Sequence, residues 1–222
     1  MSTTDNGWPA SKTLATRPLV INGTEFVGGI ADRDDVERVL RYALQRVADE
    51  VEAPVNPGCW GFSFRPNRND PSALSRHSGG IAVDLNAPTN PNGVPTERTW
   101  TMPQILEIHW ILDDLDRLCG LTAGDRVVRW GGDFNGTPDS MHFEVNVTPT
   151  QLPALAARLR DNTEALMVTD DDKQKITDIV RTVLREELAA FAKTAGETIK
   201  VDGDGDPSTA KVSLERKLQN LS

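Results

Sequence analysis

The sequence predicts an α+β domain followed by a helical tail, on three observations. Apolar residues recur at helical spacing in the stretches that begin near Asp32 and Thr101. They alternate at period two around residues 80–86 and 141–147. The composition changes near residue 166, so residues 1–165 read as one domain and 166–222 as an appended tail. A length of 222 residues suits one full domain with a small appendage.

Residues 1–30 are rich in Gly, Pro and Thr and read as an extended arm. The first helix is expected over Asp32 to Asp49, where Val36, Val39, Leu40, Ala43 and Val47 form one stripe. Asp34 and Asp35 favour its positive N-terminal end, and Pro54 and Pro57 end it. The segment Gly58-Cys59-Trp60-Gly61-Phe62-Ser63-Phe64-Arg65 has room for a short strand. Residues 80–86 predict a strand with Ile81, Val83 and Leu85 on one side and Gly80, Ala82, Asp84 and Asn86 on the other. Residues 87–100 read as a loop, and a second helix runs from Thr101 and Pro103 to about Cys119, with Gly120 as its stop. Val127 to Trp130 and Met141 to Val147 predict two more strands. In the latter, His142, Glu144 and Asn146 share a face opposite Phe143, Val145 and Val147. Thr150 to Arg160 predicts a short closing helix.

In the tail, Thr169 is an N-cap candidate, and Ile176, Ile179, Val180, Val183, Leu184, Leu188 and Phe191 line one face of a long helix. Such a face suits self-association through residues 170–195, docking on the domain, or binding to a wall polymer, in that order. A short helix, Val212 to Leu221, follows the turn Asp202-Gly203-Asp204-Gly205-Asp206-Pro207. That turn superficially suggests a calcium loop, but Ser213 stands where the loop needs its twelfth-position acid, so it reads as a linker.

A net charge of −9 disfavours nucleic-acid binding, which needs a basic face, and with it a nuclease reading. The sequence has no apolar run long enough to span a bilayer. Met1 to Gly7 has neither a basic nor an apolar section, so no secretory signal is expected and the chain is expected to be made in a cytoplasm. Cys59 and Cys119 form no metal-binding pair and are expected to be reduced, buried thiols rather than a disulfide.

Only His77, His109 and His142 can carry histidine chemistry. His77 precedes Asp84 by seven residues across a Gly79-Gly80 hinge, and Asp139 precedes His142 by three. Two imidazoles and one carboxylate leave a fourth tetrahedral position for water, as catalytic zinc sites do. Asp139 stands where a general base would act on that water. Each histidine taken alone reads first as structural. Asp84 is harder to dismiss, because an aspartate within Ile81-Ala82-Val83-Asp84-Leu85 needs a partner or a metal if it is buried. His109 sits at helical spacing from Ile105 and Leu112 and reads as a packed helix residue.

The pattern Ser75-x-His77-x-x-Gly80-x-Ala82-x-Asp84, followed by Asp139-x-Met141-His142-Phe143-Glu144, resembles the zinc D-alanyl-D-alanine carboxypeptidase family. It is most similar to the phage endolysin branch that includes L-alanyl-D-glutamate endopeptidases. Gly61-Phe62-Ser63-Phe64-Arg65, Arg129-Trp130-Gly131-Gly132-Asp133 and the opening Gly7-Trp8-Pro9-Ala10-Ser11 extend the likeness over roughly residues 7–160. The resemblance implies a small central antiparallel sheet flanked by helices, shared with the hedgehog signalling domain. It implies one zinc ion held by His77, Asp84 and His142, with Asp139 as general base. It implies that Arg65 polarises the scissile carbonyl, although Arg68 and Arg76 lie nearby. Ser75 becomes a hydrogen-bond donor to the ligand sphere or substrate, and Glu144 an orienter of a ligand histidine. The implied substrate is an amide bond of the peptidoglycan stem peptide, L-Ala–D-Glu first and D-Ala–D-Ala second, in the bacterial cell wall. From another class, the chain reads as a non-catalytic zinc module or phage structural protein whose helical tail does the work. Asp139 argues against that alternative.

Overall fold

A computed structural model of the chain describes residues 2–122 and 124–166. The expectations for Thr169, the helical face at 170–195, the 202–206 turn and the last helix lie outside the described residues.

The first thirty residues are not an arm. They form six two-residue strands: β1 (Ser2–Thr3), β2 (Pro9–Ala10), β3 (Thr16–Arg17), β4 (Val20–Ile21), β5 (Thr24–Glu25) and β6 (Ile30–Ala31). These pair antiparallel as β1 with β2, β3 with β6, and β4 with β5. Asn22 and Gly23 join β4 to β5 with φ of 48° and 80°, the left-handed pair that a tight hairpin turn requires. Trp8, Leu19, Ile21, Phe26 and Ile30 are all buried in the main core, so apolar burial holds this segment down.

Helix α1 (Asp34–Glu50) follows, with Asp34, Asp35 and Glu37 in its first turn, where the helix dipole favours acids. Its buried stripe includes Val36, Val39, Leu40, Ala43, Leu44 and Val47. The loop at 87–100 contains a short helix, α2 (Thr96–Thr99). Helix α3 (Met102–Leu118) begins where the Gln104 side-chain oxygen accepts from the Thr101 backbone N–H at 3.0 Å. Helix α4 (Leu152–Leu166) runs further than Arg160, and Leu152, Leu155, Ala156 and Leu159 form its buried face. Helix α1 packs against both α3 and α4.

Three strands form the central sheet: β7 (Ala82–Asp84), β8 (Val128–Trp130) and β9 (His142–Val145). Their order is β7-β9-β8, antiparallel throughout. The register sets Asp84 opposite His142, and both Ala82 and Arg129 opposite Glu144. It sets Val83 and Trp130 opposite Phe143, and Val128 opposite Val145. Side chains alternate along a strand, so this register sorts the sheet into a polar face and an apolar one. The apolar face joins the core shared with α1. The Gly/aromatic segment contributes no full strand. Instead Trp60 bridges Asp84, donating to its carbonyl at 3.0 Å and accepting from its N–H at 2.7 Å. Among the described residues no helix is long and apolar enough to cross a membrane.

Candidate metal centre

Ser75 opens a 3₁₀ turn, Arg76–Gly79, that carries His77, and Gly80 closes it with its N–H directed at the carbonyls of Arg76 and His77. Strand β7 then delivers Asp84, and β9 delivers His142 directly opposite. The three side chains are all buried. His77 Nε2 lies 3.2 Å from Asp84 Oδ1 and 3.2 Å from His142 Nδ1, and His142 Nδ1 lies 3.0 Å from Asp84 Oδ1.

The remaining ring nitrogens fix the tautomers. His77 Nδ1 stands 2.7 Å from the carbonyl of Gly61, which can only accept, so Nδ1 carries the proton. His142 Nε2 donates to Glu144 Oε2 at 2.9 Å. In the neutral rings, two imidazole lone pairs and a carboxylate oxygen therefore point at one spot and repel one another. A tetrahedral zinc ion with ligands at about 2.0–2.1 Å spaces its ligand atoms about 3.3 Å apart, close to the observed triangle. The donor set fits a divalent ion.

Electrostatics agree. Burial opposes charge on His142, but hydrogen bonds to Asp84 and Glu144 outweigh it and raise its pKa to about 10. Burial likewise opposes charge on Glu144, but the His142 hydrogen bond and the charges of His142, Arg76 and Arg129 lower it to about 2. Burial opposes charge on Asp84 as well, and the two histidines still hold it well below the usual carboxylate range. Without metal, a proton on His142 Nδ1 faces Asp84, and a divalent ion would take that proton's place.

Asp139 stands apart from these pairings. Its Oδ1 is buried without a hydrogen-bond partner. Burial raises its pKa, with the nearby Asp84 charge adding to the rise and His142 opposing it. Gly131 keeps this corner open for close packing: a Cβ there would meet the Asp139 carbonyl oxygen at 2.4 Å and the Cβ atoms of Asp139 and His142 at 3.1 Å.

The ligand cluster opens on a cavity of about 720 Å³, lined by Trp60, Phe62, Arg65, Arg68, His77 and Asp84 among others. The 87–100 segment borders it through Ala87, Pro88, Pro91 and Asn92. A smaller recess of about 80 Å³ touches Arg65 and Arg68 again, together with Asp139, His142 and Glu144. Arg65 and Arg68 therefore stand at the seam between the His77–Asp84 side and the Asp139–His142 side. The guanidinium of Arg65 meets only the Pro66 carbonyl, at 3.4 Å, among the described residues. Burial and the neighbouring Arg68 charge lower its pKa.

Ser75 uses its Oγ to accept the His77 backbone N–H at 3.4 Å, as a cap on the turn. His109 lies on α3, donates from Nε2 to Asp133 Oδ1 at 2.8 Å, and sits edge-on to Trp130, outside the cluster. Cys59 and Cys119 are free and buried, and burial pushes the Cys119 thiol up to about 12, so neither offers a thiolate.

Two supporting residues escaped the sequence reading. Ser78 ties Arg65 to the His77 turn: its Oγ accepts from the Arg65 N–H at 2.9 Å and donates to the Arg65 carbonyl at 2.8 Å. Gly61 supplies the carbonyl that fixes His77, and a backbone acceptor leaves no side-chain signal in a sequence.

Among known proteins, residues 68–145 match the model of a family described as D-alanyl-D-alanine carboxypeptidase. No curated protein and no solved structure matches the chain. The matched residues hold the whole His77–Asp84–His142 cluster, and together the two findings make this segment a zinc-peptidase domain, a metal-dependent hydrolase.

Proposed function

We propose that the protein hydrolyses an amide bond in the stem peptide of bacterial peptidoglycan, with His77, Asp84 and His142 holding one zinc ion and Asp139 as general base and acid. The observation that carries this reading is the pairing of two buried features. Three ligand atoms lie 3.0–3.2 Å from one another, and beside them one carboxylate oxygen is left without a partner. Bound zinc would supply Lewis acidity, lowering the pKa of a water toward about 7 and polarising the scissile carbonyl.

The chain's own residues do the rest. Asp139 takes the proton of the attacking water and returns it to the leaving amine. Its raised pKa suits both directions of that transfer. Arg65 donates to the oxygen on which negative charge develops. Trp60 and Phe62 give the cavity an apolar wall, and Arg68 faces the anionic groups that a stem peptide carries. Glu144 holds the His142 ring in the orientation that aims Nδ1 at the ion.

For the bond cleaved we propose L-Ala–D-Glu, with D-Ala–D-Ala as the second choice. This and the lytic phage-enzyme setting rest on the likeness of the motifs and of the Gly7–Ser11 opening. Incubation of the zinc-loaded chain with purified peptidoglycan, followed by mass spectrometry, tests it. New free amine on D-Glu supports the first choice, and loss of terminal D-Ala supports the second. Intact stem peptides at full zinc occupancy would contradict the proposal and favour a non-catalytic zinc module.

A further inference from the structure

We infer that Asp5, in the N-terminal β1–β2 hairpin, is a positioning residue for the metal centre, acting on His142 through the Arg76 guanidinium and the Glu144 carboxylate. The inference rests on the reading of His77, Asp84 and His142 as zinc ligands.

Arg76 directly precedes His77 on the 3₁₀ turn, and its side chain is buried. Its guanidinium forks onto Asp5: Nε donates to Oδ1 at 2.9 Å and Nη2 to Oδ2 at 3.0 Å. That bidentate grip fixes the plane of the guanidinium. The remaining nitrogen, Nη1, is thereby aimed at strand β9. It lies 3.2 Å from Glu144 Oε1, from the Val145 carbonyl and from Asn146 Oδ1. Glu144 Oε1 also pairs with Arg129, and Oε2 accepts from His142 Nε2 at 2.9 Å. One guanidinium therefore touches both imidazole ligands at one remove. It reaches His77 through the chain and His142 through Glu144.

Charge gives the chain of contacts its direction. Arg76 and Arg129 are two cations, and Asp5 and Glu144 are two anions, so the group behind His142 is balanced. Neutralising Asp5 would leave an excess positive charge beside a site for a divalent cation. It would also free Arg76 to draw Glu144 away from His142 Nε2. Both effects weaken metal binding. The hairpin has a second, separate anchor on the same strand. Asn6 Nδ2 donates at 3.0 Å to the Val145 carbonyl that Arg76 also reaches, whereas Trp8 Nε1 donates to the Val147 carbonyl at 2.8 Å, away from Arg76. The Trp8 contact touches no charged member of the group and shares no acceptor with Arg76, which makes it a control.

The test measures zinc affinity of the full chain by competition with a chromophoric chelator, and the visible absorption of the cobalt-substituted protein. Asp5→Asn is expected to bind zinc about tenfold more weakly and to alter the cobalt bands, with the metal-free fold unchanged by circular dichroism. Asp5→Glu is expected to regain most of the affinity. Trp8→Phe, which removes the indole N–H, is expected to lower the melting temperature while leaving affinity and cobalt bands as they were. Zinc affinity of Asp5→Asn within about twofold of the parent, or an equal loss in Trp8→Phe, would overturn the inference and leave a purely structural ion pair. Failure of the parent chain itself to bind zinc would instead remove the ligand reading, and this inference with it.

Discussion

The two faces of the β7-β9-β8 sheet are both largely buried and differently held. On one, Val83, Phe143, Val128 and Trp130 pack into the core shared with α1, and the only polar group, the Trp130 indole N–H, donates to the Ser140 carbonyl at 2.8 Å. On the other, Asp84, His142 and Glu144 are also buried but are ionisable, and every one is held by a partner of complementary charge or hydrogen bonding. The difference teaches that a period of two lets one strand of four residues serve both tasks. Apolar burial drives folding from one side. Burial on the other side withdraws water from charges so that a metal can replace a proton.

If that division holds, substitutions on the two faces should fail in different ways. The largest effect is expected beside the polar face. Asp139→Asn should lower peptidase turnover by about 10²–10⁴-fold while zinc stoichiometry stays at the parent value, because it removes proton transfer and not a ligand. Loss of zinc together with activity would mean that Asp139 serves the metal instead. Next comes the apolar face. Phe143→Ala should cost about 3–5 kcal/mol of stability by denaturant unfolding, through lost burial and a residual cavity. A cost under about 1 kcal/mol would show that the core does not depend on this face.

Smaller, and again on the polar face, Glu144→Gln should weaken zinc binding by about 10–100-fold with little change in the fold, since an amide holds the His142 N–H less strongly than a carboxylate. Unchanged affinity would break the link between the second carboxylate and the ligand. A further effect is in pH. His142 is raised in the metal-free fold to about 10. A raised pKa means the protonated form is stabilised by folding. That contribution is complete below the unfolded value, about 6.5, and is lost as pH rises toward the folded one. The metal-free protein should therefore melt at progressively lower temperature from neutral pH upward, whereas the zinc-loaded protein, with that proton displaced, should lack this slope. Parallel slopes would deny that zinc and the proton compete.

Much of this was legible in the sequence because it is written in side chains and spacing. The alternation around Asp84 and His142 put the ligand pair on one face and the apolar residues on the other, as the register shows. The stripes of α1 and α3 fixed both long helices within two residues at each end. The first thirty residues were misread, because two-residue strands are too short for periodicity to register. Yet Ile21-Asn22-Gly23-Thr24 carries the Asn-Gly signature of a tight hairpin, and Trp8 and Phe26 are large enough to demand burial. What no spacing could reveal is contact made through backbone or across long separations. The Gly61 carbonyl that fixes His77 and the Asp5–Arg76 fork, 71 residues apart, are of this kind.

The central claim is that His77, Asp84 and His142 together hold a single ion. X-ray absorption at the zinc edge, measured with metal stoichiometry on the full chain and on His142→Ala, tests it most directly. The account predicts one zinc per parent chain, in a shell of nitrogen and oxygen only with two imidazoles, and loss of tight binding in the variant. A sulfur shell, or full occupancy retained in His142→Ala, would contradict it.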